Sequence, residues 1–371
     1  MAVYKDTKRG TWYYTGHIKD ASGNSHMYKK RGFKKKSEAQ RAEQIFRLSR
    51  SESSGTMTLD DVVSIYQERI GSTGIKSTTM YGDMIYYNKH LKDTFGNKQV
   101  RSINPNTIEI WINAFREKKK PDGTLYSVST INHAKNVLSK FMNYAKRIGQ
   151  IQYNPVPSVP AVKDDKTIPK KTDAELNFWE LDEYNYFMTF VNSEYWKEVF
   201  TFLFQTGVRE GEMFALTWEN VNLVKGTVYI CKSISNKTNQ GHYVVTTPKN
   251  RRSIRTIVLS DSLTDMLRKC YKEQNKKDGF NQGYYVFGDI RPLSRSNLSR
   301  NLDKYIKLSG VKRITPHGFR HSHASLLINN KVDDAVIAER LGHTVSELRK
   351  TYAHIYTEKR DEMKAKLDAI F

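Results

Sequence analysis

Apolar and polar positions alternate in short runs over the first 33 residues. VYKD (3–6), TWYYTGHIKD (11–20) and HMYKKRGF (26–33) are separated by DTKRG and ASGN, and this spacing predicts a three-stranded meander. Ser37 then reads as the N-cap of a helix from about 38 to 50, with Ala42, Ile45, Phe46 and Ser49 on one side. From Thr58 to about 153 the apolar period lengthens from 2 to 3.6. Leu59, Val62, Val63, Ile65 and Tyr66 form one stripe, and Ile108, Trp111, Ile112 and Phe115 another. Ile131, Val137, Leu138, Phe141 and Tyr144 form a third. With breaks at GSTG (71–74), FGNK (95–98) and PDGT (121–124), this predicts a bundle of about four helices. Its last helix carries Lys135, Lys140, Lys146 and Arg147 on the side read as polar.

SESSG (51–55) reads as a small polar linker, and four prolines within 154–171 read as an extended one. The remaining segment opens with two helical stretches, Leu176–Val191 and Tyr195–Thr206. Strand-like runs follow at GTVYICKSI (226–234), HYVVTTP (242–248) and RTIVL (255–259), and helical patterning resumes at Ser262. The expected organisation is a small α+β domain over 1–52, an all-α bundle over 57–155 and a mostly helical α+β domain over 172–371.

Charge narrows the function. Sixty-one Lys and Arg against 39 Asp and Glu give a net charge of +22, which points to a polyanionic partner. The first 50 residues hold 13 Lys and Arg against 4 Asp and Glu. Lys29, Lys30 and Arg31 on the third strand are the candidate DNA contacts there, since a strand can carry base-reading side chains into the major groove. Lys140 on the bundle is a candidate phosphate contact. No apolar run approaches the ~18 residues of a membrane span. The N-terminus lacks the apolar core of a secretory signal, and the two cysteines have no metal-ligand spacing. The expected setting is cytoplasmic, away from membranes.

The last 200 residues hold a spaced set of chemistry-bearing side chains: Arg209 in TGVREGE, Lys249 in TPKNRR, His317 and Arg320 in PHGFRH, His343 in LGH and Tyr352 in TYAH. This set suits attack on a phosphodiester. Two guanidiniums can hold the non-bridging oxygens as charge develops, and a histidine adds a further bond. A tyrosine oxygen is a competent nucleophile once its proton is accepted, and an ammonium can protonate a departing oxygen. No carboxylate cluster suggests a magnesium site, so no metal or other cofactor is expected. A rival reading treats His317, His321 and His323 as metal ligands, without the carboxylate or cysteine companion that such sites usually carry.

The order R…K…HxxR…H…Y resembles the tyrosine recombinase (phage integrase) family, and the likeness extends over nearly the whole chain. The basic sheet-plus-helix resembles the arm-type DNA-binding domain of integrases from phages and conjugative transposons. The bundle resembles their core-binding, SAM-like domain. The resemblance implies that Arg209 and Arg320 clamp the scissile phosphate and that His343 bonds it or buttresses the nucleophile. It implies that Tyr352 is the nucleophile, His317 the proton acceptor and a phosphate ligand, and Lys249 the general acid. Glu212 matches an acid that orients the first arginine.

Two departures stand out. The lysine segment differs from many relatives, which leaves Arg251 and Arg252 as close rivals for contacting DNA. Tyr356, four residues beyond Tyr352, is an alternative nucleophile, although TYAH and not HIYT matches the family's nucleophile box. The resemblance further implies transesterification through a 3′-phosphotyrosyl link and a Holliday junction, four protomers on core and arm attachment sites, and integration or excision of a mobile element. An excisionase and a host DNA-bending protein are possible partners. The tail EKRDEMKAKLDAIF (358–371) is expected to dock on a neighbouring protomer or in cis. The rival functions are a type IB topoisomerase and a non-catalytic DNA-binding regulator.

Overall fold

The computed structural model describes residues 3–7, 9–19, 25–50, 57–71, 77–163, 177–235, 243–247, 251–353, 355, 367–368 and 370. The chain divides into two compact units, Met1–Lys166 and Thr167–Phe371. Among the described residues no helix is long and apolar enough to cross a membrane.

The first unit opens with the expected antiparallel meander, β1 (Val3–Asp6), β2 (Thr11–Lys19) and β3 (Ser25–Phe33). Helix α1 (Lys36–Arg50) follows. Tyr14 faces the helix, 2% exposed, with its ring 5.7 Å from that of Phe33. The helix starts ahead of Ser37, which therefore lies in its first turn and is not the N-cap. The carboxylate of Glu38 instead accepts the Lys35 N–H at 3.3 Å, taking up one of the orphan donors of the first turn. The side chains of Ile45, Phe46 and Ser49 lie outside the described residues.

The bundle holds α2 (Leu59–Gly71), α3 (Ser77–Tyr86), a π-helical turn at Tyr87–Leu91 continuing into α4 (Lys92–Phe95), α5 (Pro105–Glu117) and α6 (Val128–Arg147). The three apolar stripes meet in one core, where Tyr66, Phe141 and Tyr144 pack edge to face. Thr58 caps α2 reciprocally with Asp61: its hydroxyl accepts the Asp61 N–H at 3.2 Å, and the Asp61 carboxylate accepts its N–H at 2.9 Å.

Two expectations fail here for one reason. The first part of the proline-rich stretch is not an extended linker; Val156 and Val159 insert into the bundle core. Asn132 clasps Val162 through two 2.9 Å hydrogen bonds. Lys135 is consequently covered, 8% exposed, and its ammonium donates to the Val159 carbonyl. A helix face that reads as polar is thus buried by a segment that follows it in sequence.

Near the start of the described part of the second unit, Trp179 lies outside any helix, held by its N–H to Ser322 Oγ (2.8 Å) and its indole N–H to the Lys312 carbonyl (2.7 Å). Helix α7 (Leu181–Thr189) therefore starts later than the apolar pattern suggests. Helix α8 (Glu194–Thr206) is apolar on most sides and runs through the core, with Val199, Phe200, Phe202 and Leu203 fully buried. After the short α9 (Glu210–Phe214) come β4 (Val221–Asn222), β5 (Thr227–Ile230), β6 (Ser233–Ser235), β7 (Val244–Thr246) and β8 (Arg255–Val258). The run 226–234 is interrupted at Cys231–Lys232: β5 pairs with β4 and β8, while β6 pairs with β7 in a separate hairpin. Helices α10 (Asp261–Gln274), α11 (Arg295–Ser309), α12 (Gly318–Asn329), α13 (Asp334–Leu341) and α14 (Val345–Thr351) complete the unit.

Candidate active site

Arg320 is the centre of the site. It lies on α12 and is 1% exposed. One guanidinium nitrogen donates to the Gly207 carbonyl at 2.9 Å, and the other donates to the Leu341 carbonyl at 2.6 Å. These carbonyls sit at the C-terminal ends of α8 and α13, where backbone oxygens lack helical partners and carry partial negative charge. Both helices end in a left-handed glycine, Gly207 (φ 62°) and Gly342 (φ 68°). A Cβ at Gly207 would stand 2.6 Å from His323, so the close approach needs glycine at this position.

The second arginine is fixed differently. Arg209 caps α9, and its N–H and guanidinium both donate to Glu212, at 3.0 and 2.9 Å. Its side chain remains 36% exposed. Glu212 also accepts two bonds from Arg255 on β8, at 3.0 and 3.3 Å. Burial alone would raise the Glu212 pKa; the Arg255 and Arg209 guanidiniums outweigh it and hold the carboxyl below its ordinary range. Arg255 is anchored further to the Arg340 carbonyl at 2.6 Å and the Ser253 carbonyl at 3.0 Å.

His343 follows Gly342 and lies against Arg320, with Nε2 2.9 Å from the guanidinium. A guanidinium only donates, so Nε2 accepts and Nδ1 carries the proton. That Nδ1 is buried and has no hydrogen-bond partner among the described residues. An unpaired buried donor is costly and is ready for an incoming oxygen. Burial first, then Arg320 and Arg209, depress the His343 pKa to about 4. His317, at the start of α12, is pushed down to about 3 by burial and by His321, Arg320 and Arg209. Both rings are neutral at pH 7. Arg320 is itself lowered to about 9, by burial and then by Arg209, and stays charged.

Tyr352 ends α14 and is 1% exposed. Its hydroxyl lies 3.0 Å from His321 Nδ1, one residue beyond Arg320. Burial raises the Tyr352 pKa to about 12 against the opposing charge of Arg320. The imidazoles of His317 and His321 meet edge to face at 4.8 Å.

The site thus brings Arg209, Glu212, His317, Arg320, His343 and Tyr352 into one network. Lys249 and Tyr356 lie outside the described residues, as does the side chain of Arg251; Arg252 is exposed on the single turn Arg251–Ser253. The metal reading of the three histidines fails on His323. Its Nδ1–H donates to the Phe204 carbonyl at 2.9 Å and its Nε2 accepts from Arg340 at 3.0 Å, which leaves no lone pair for a metal. Three contributors escaped sequence reasoning: Arg255, Arg340 and the contact of His321 with Tyr352. A signal existed for Arg255, because it alternates with buried Ile257 on its strand and so points inward.

In the first unit, cross-strand register separates the basic triplet. Arg31 pairs with Tyr13 and Lys29 with Thr15, whereas Lys30 pairs with Tyr14 on the opposite face. The Lys29 ammonium stands 4.3 Å above the Tyr13 ring, and Tyr4 lies 5.7 Å from that ring on the same face. Lys140 is ion-paired with Asp83.

Comparison with known proteins places this geometry in a family. The phage integrase family profile matches residues 177–359, an arm DNA-binding domain profile matches 2–49, and a phage integrase N-terminal SAM-like domain profile matches 58–116. The ICEBs1 integrase of Bacillus subtilis (strain 168) is 30% identical over 334 residues, covering 87% of this chain and 86% of that protein. The integrase of Staphylococcus phage L54a is 25% identical, covering 85% and 94%. Among solved structures, the Tn1549 transposon integrase in complex with transposon right end DNA superimposes with a TM-score of 0.66 at 19% identity, over 83% of this chain and 99% of that one. A lambda integrase tetramer bound to a Holliday junction superimposes with a TM-score of 0.57 at 19% identity, over 94% and 95%. The chain belongs to the phage integrase family of tyrosine recombinases, enzymes that break and rejoin DNA.

Proposed function

We propose that this enzyme is a site-specific integrase that cuts DNA with Tyr352 and moves a phage or other mobile element into and out of a bacterial chromosome. The observation that carries this reading is the concentration of Arg209, Arg255 and Arg320 around one carboxylate, Glu212, with buried Tyr352 beside Arg320. Such a cluster has an excess of positive charge and suits an entering phosphate. Arg209 and Arg320 hold its non-bridging oxygens; His343 Nδ1–H donates a further bond, and His317 flanks the same position. As the Tyr352 hydroxyl gives its proton to a histidine of the site and its oxygen bonds to phosphorus, the 5′ oxygen leaves and takes a proton from Lys249. The product is a 3′-phosphotyrosyl link and a free 5′ hydroxyl, and the reverse step on a partner strand rejoins the DNA. Bond energy is kept in the covalent link.

The domains divide the work: 1–52 binds arm sites, with Lys29 and Arg31 beside Tyr13 on the reading face, 57–155 embraces the core site, and 172–371 carries the chemistry. Family relatives solved on DNA as a dimer and on a Holliday junction as a tetramer support assembly of four protomers on paired core sites. The likeness to the ICEBs1 integrase and to the integrase of Staphylococcus phage L54a supports a mobile-element role. An excisionase or a host DNA-bending protein would set direction. The test is strand exchange between two duplexes carrying the element's junction sequences. The unaltered protein yields exchanged products; Tyr352→Phe yields none while retaining DNA binding. Undiminished exchange by the phenylalanine variant would refute the proposal.

A further inference from the structure

We infer that His321 is a catalytic residue: it holds the Tyr352 hydroxyl and accepts its proton as the tyrosine oxygen attacks phosphorus. The inference rests on the assignment of Tyr352 as nucleophile.

The geometry separates His321 from His317, to which the family resemblance assigns proton acceptance. The two lie one helical turn apart on α12 and face the same side. His321 Nδ1 lies 3.0 Å from Tyr352 Oη. The His317 and His321 rings pack edge to face at 4.8 Å, and no hydrogen bond links His317 to the tyrosine among the described residues. A general base must lie within hydrogen-bond reach of the proton it removes, and His321 meets that condition. The nearby charge pattern couples the transfer to substrate. A proton on His321 adds positive charge to a cluster in which His317 feels His321, Arg320 and Arg209 together. That extra positive charge is unfavourable in the empty site and becomes acceptable once a phosphate lies in the clamp. Transfer is thereby coupled to the arrival of the phosphate.

The step balances. The Tyr352 O–H bond breaks and its proton moves to His321 Nδ1. The Oη–P bond forms, the P–O5′ bond breaks, and the leaving oxygen takes a proton from the acid assigned to Lys249. In rejoining, the incoming 5′ hydroxyl returns its proton to that acid, and His321 returns its own to the departing tyrosine oxygen.

The test uses the full-length protein, His321→Asn, and core-site DNA carrying either oxygen or sulfur at the 5′ bridging position. The asparagine amide can keep a hydrogen bond to Tyr352 but accepts no proton near pH 7. Sulfur leaves without protonation, so an acid-side defect disappears on that substrate. Formation of the covalent adduct by His321→Asn should fall by ~10²-fold on both substrates, with DNA binding and melting temperature retained. Lys249→Ala should be slow only on the oxygen substrate. If the asparagine variant melts early, His321→Gln carries the same expectation. Cleavage within about threefold of the unaltered protein, faster cleavage, or a defect relieved by sulfur would each overturn the inference. Tyr352→Phe serves as the separate control: an adduct formed by that variant would overturn the nucleophile assignment itself, whatever His321→Asn does.

Discussion

Glu212 and Arg255 form a buried ion pair, with two hydrogen bonds at 3.0 and 3.3 Å and side chains 3% and 4% exposed. The pair ties strand β8 to the turn that carries Arg209. Deleting one member of such a pair leaves a buried charge without its counter-ion, at a cost of about 3–5 kcal/mol. Glu212→Ala should lower the melting temperature by roughly 10 °C, and Arg255→Met by a similar amount, in a calorimetric scan. A drop under about 2 °C would show that the pair does not hold the unit together.

Acid should destabilise the second unit for a reason visible in its histidines. His317, His323 and His343 have folded-state values depressed to about 3, about 3 and about 4, chiefly by burial. Unfolding releases them to an ordinary value near 6.5, so below that pH the unfolded chain binds more protons. Their contribution is complete above about pH 6.5 and is lost as the pH falls towards the folded values. Melting temperature should drop by at least ~5 °C between about pH 7.5 and 5.5. A flat profile would contradict the neutral, buried state assigned to these rings.

The fork of Arg320, and not its charge alone, should matter. Two of its nitrogens are committed to the ends of α8 and α13, and a third interaction meets His343. Arg320→Lys keeps a cation but cannot reproduce this geometry. Single-turnover cleavage should fall ~10²–10³-fold, with core-site affinity changed far less. Equal losses in binding and cleavage would assign Arg320 to DNA affinity alone.

On the N-terminal sheet, the register sets an order among three consecutive basic residues. Lys29 and Arg31 share a face with Tyr13, and Lys30 does not. The double variant Lys29→Ala with Arg31→Ala should weaken arm-site binding and reduce the salt dependence by about two ion equivalents, and Lys30→Ala should change it less. Titrations at several salt concentrations decide this; the reverse order would refute the assignment of the reading face.

Much of the architecture was legible because it is written in local periodicity. The meander, the helical stripes and the breaks at 95–98 and 121–124 all correspond to elements in the structure. What stayed hidden depends on contacts between residues distant in sequence. Lys135 reads as solvent-facing until Val159 folds back over it. Leu176–Val191 reads as one helix because nothing local reveals the bonds from Trp179 to Ser322 and Lys312. In the site, motif order identified Arg209, His317, Arg320, His343 and Tyr352 as candidates. It could not tell which of two histidines one helical turn apart touches the tyrosine. Arg255 looked like one more basic residue among 61, because its acidic partner lies 43 positions away.

The most direct test of the central claim is covalent trapping. The protein is incubated, without added nucleotide or metal, with a nicked attachment-site duplex from which the short strand escapes after cleavage. Denaturing electrophoresis and peptide mapping follow. A DNA-linked peptide containing Tyr352, joined through the 3′ phosphate, is the predicted result. An adduct mapped to a different tyrosine, or none on cognate DNA that the protein binds tightly, would contradict it.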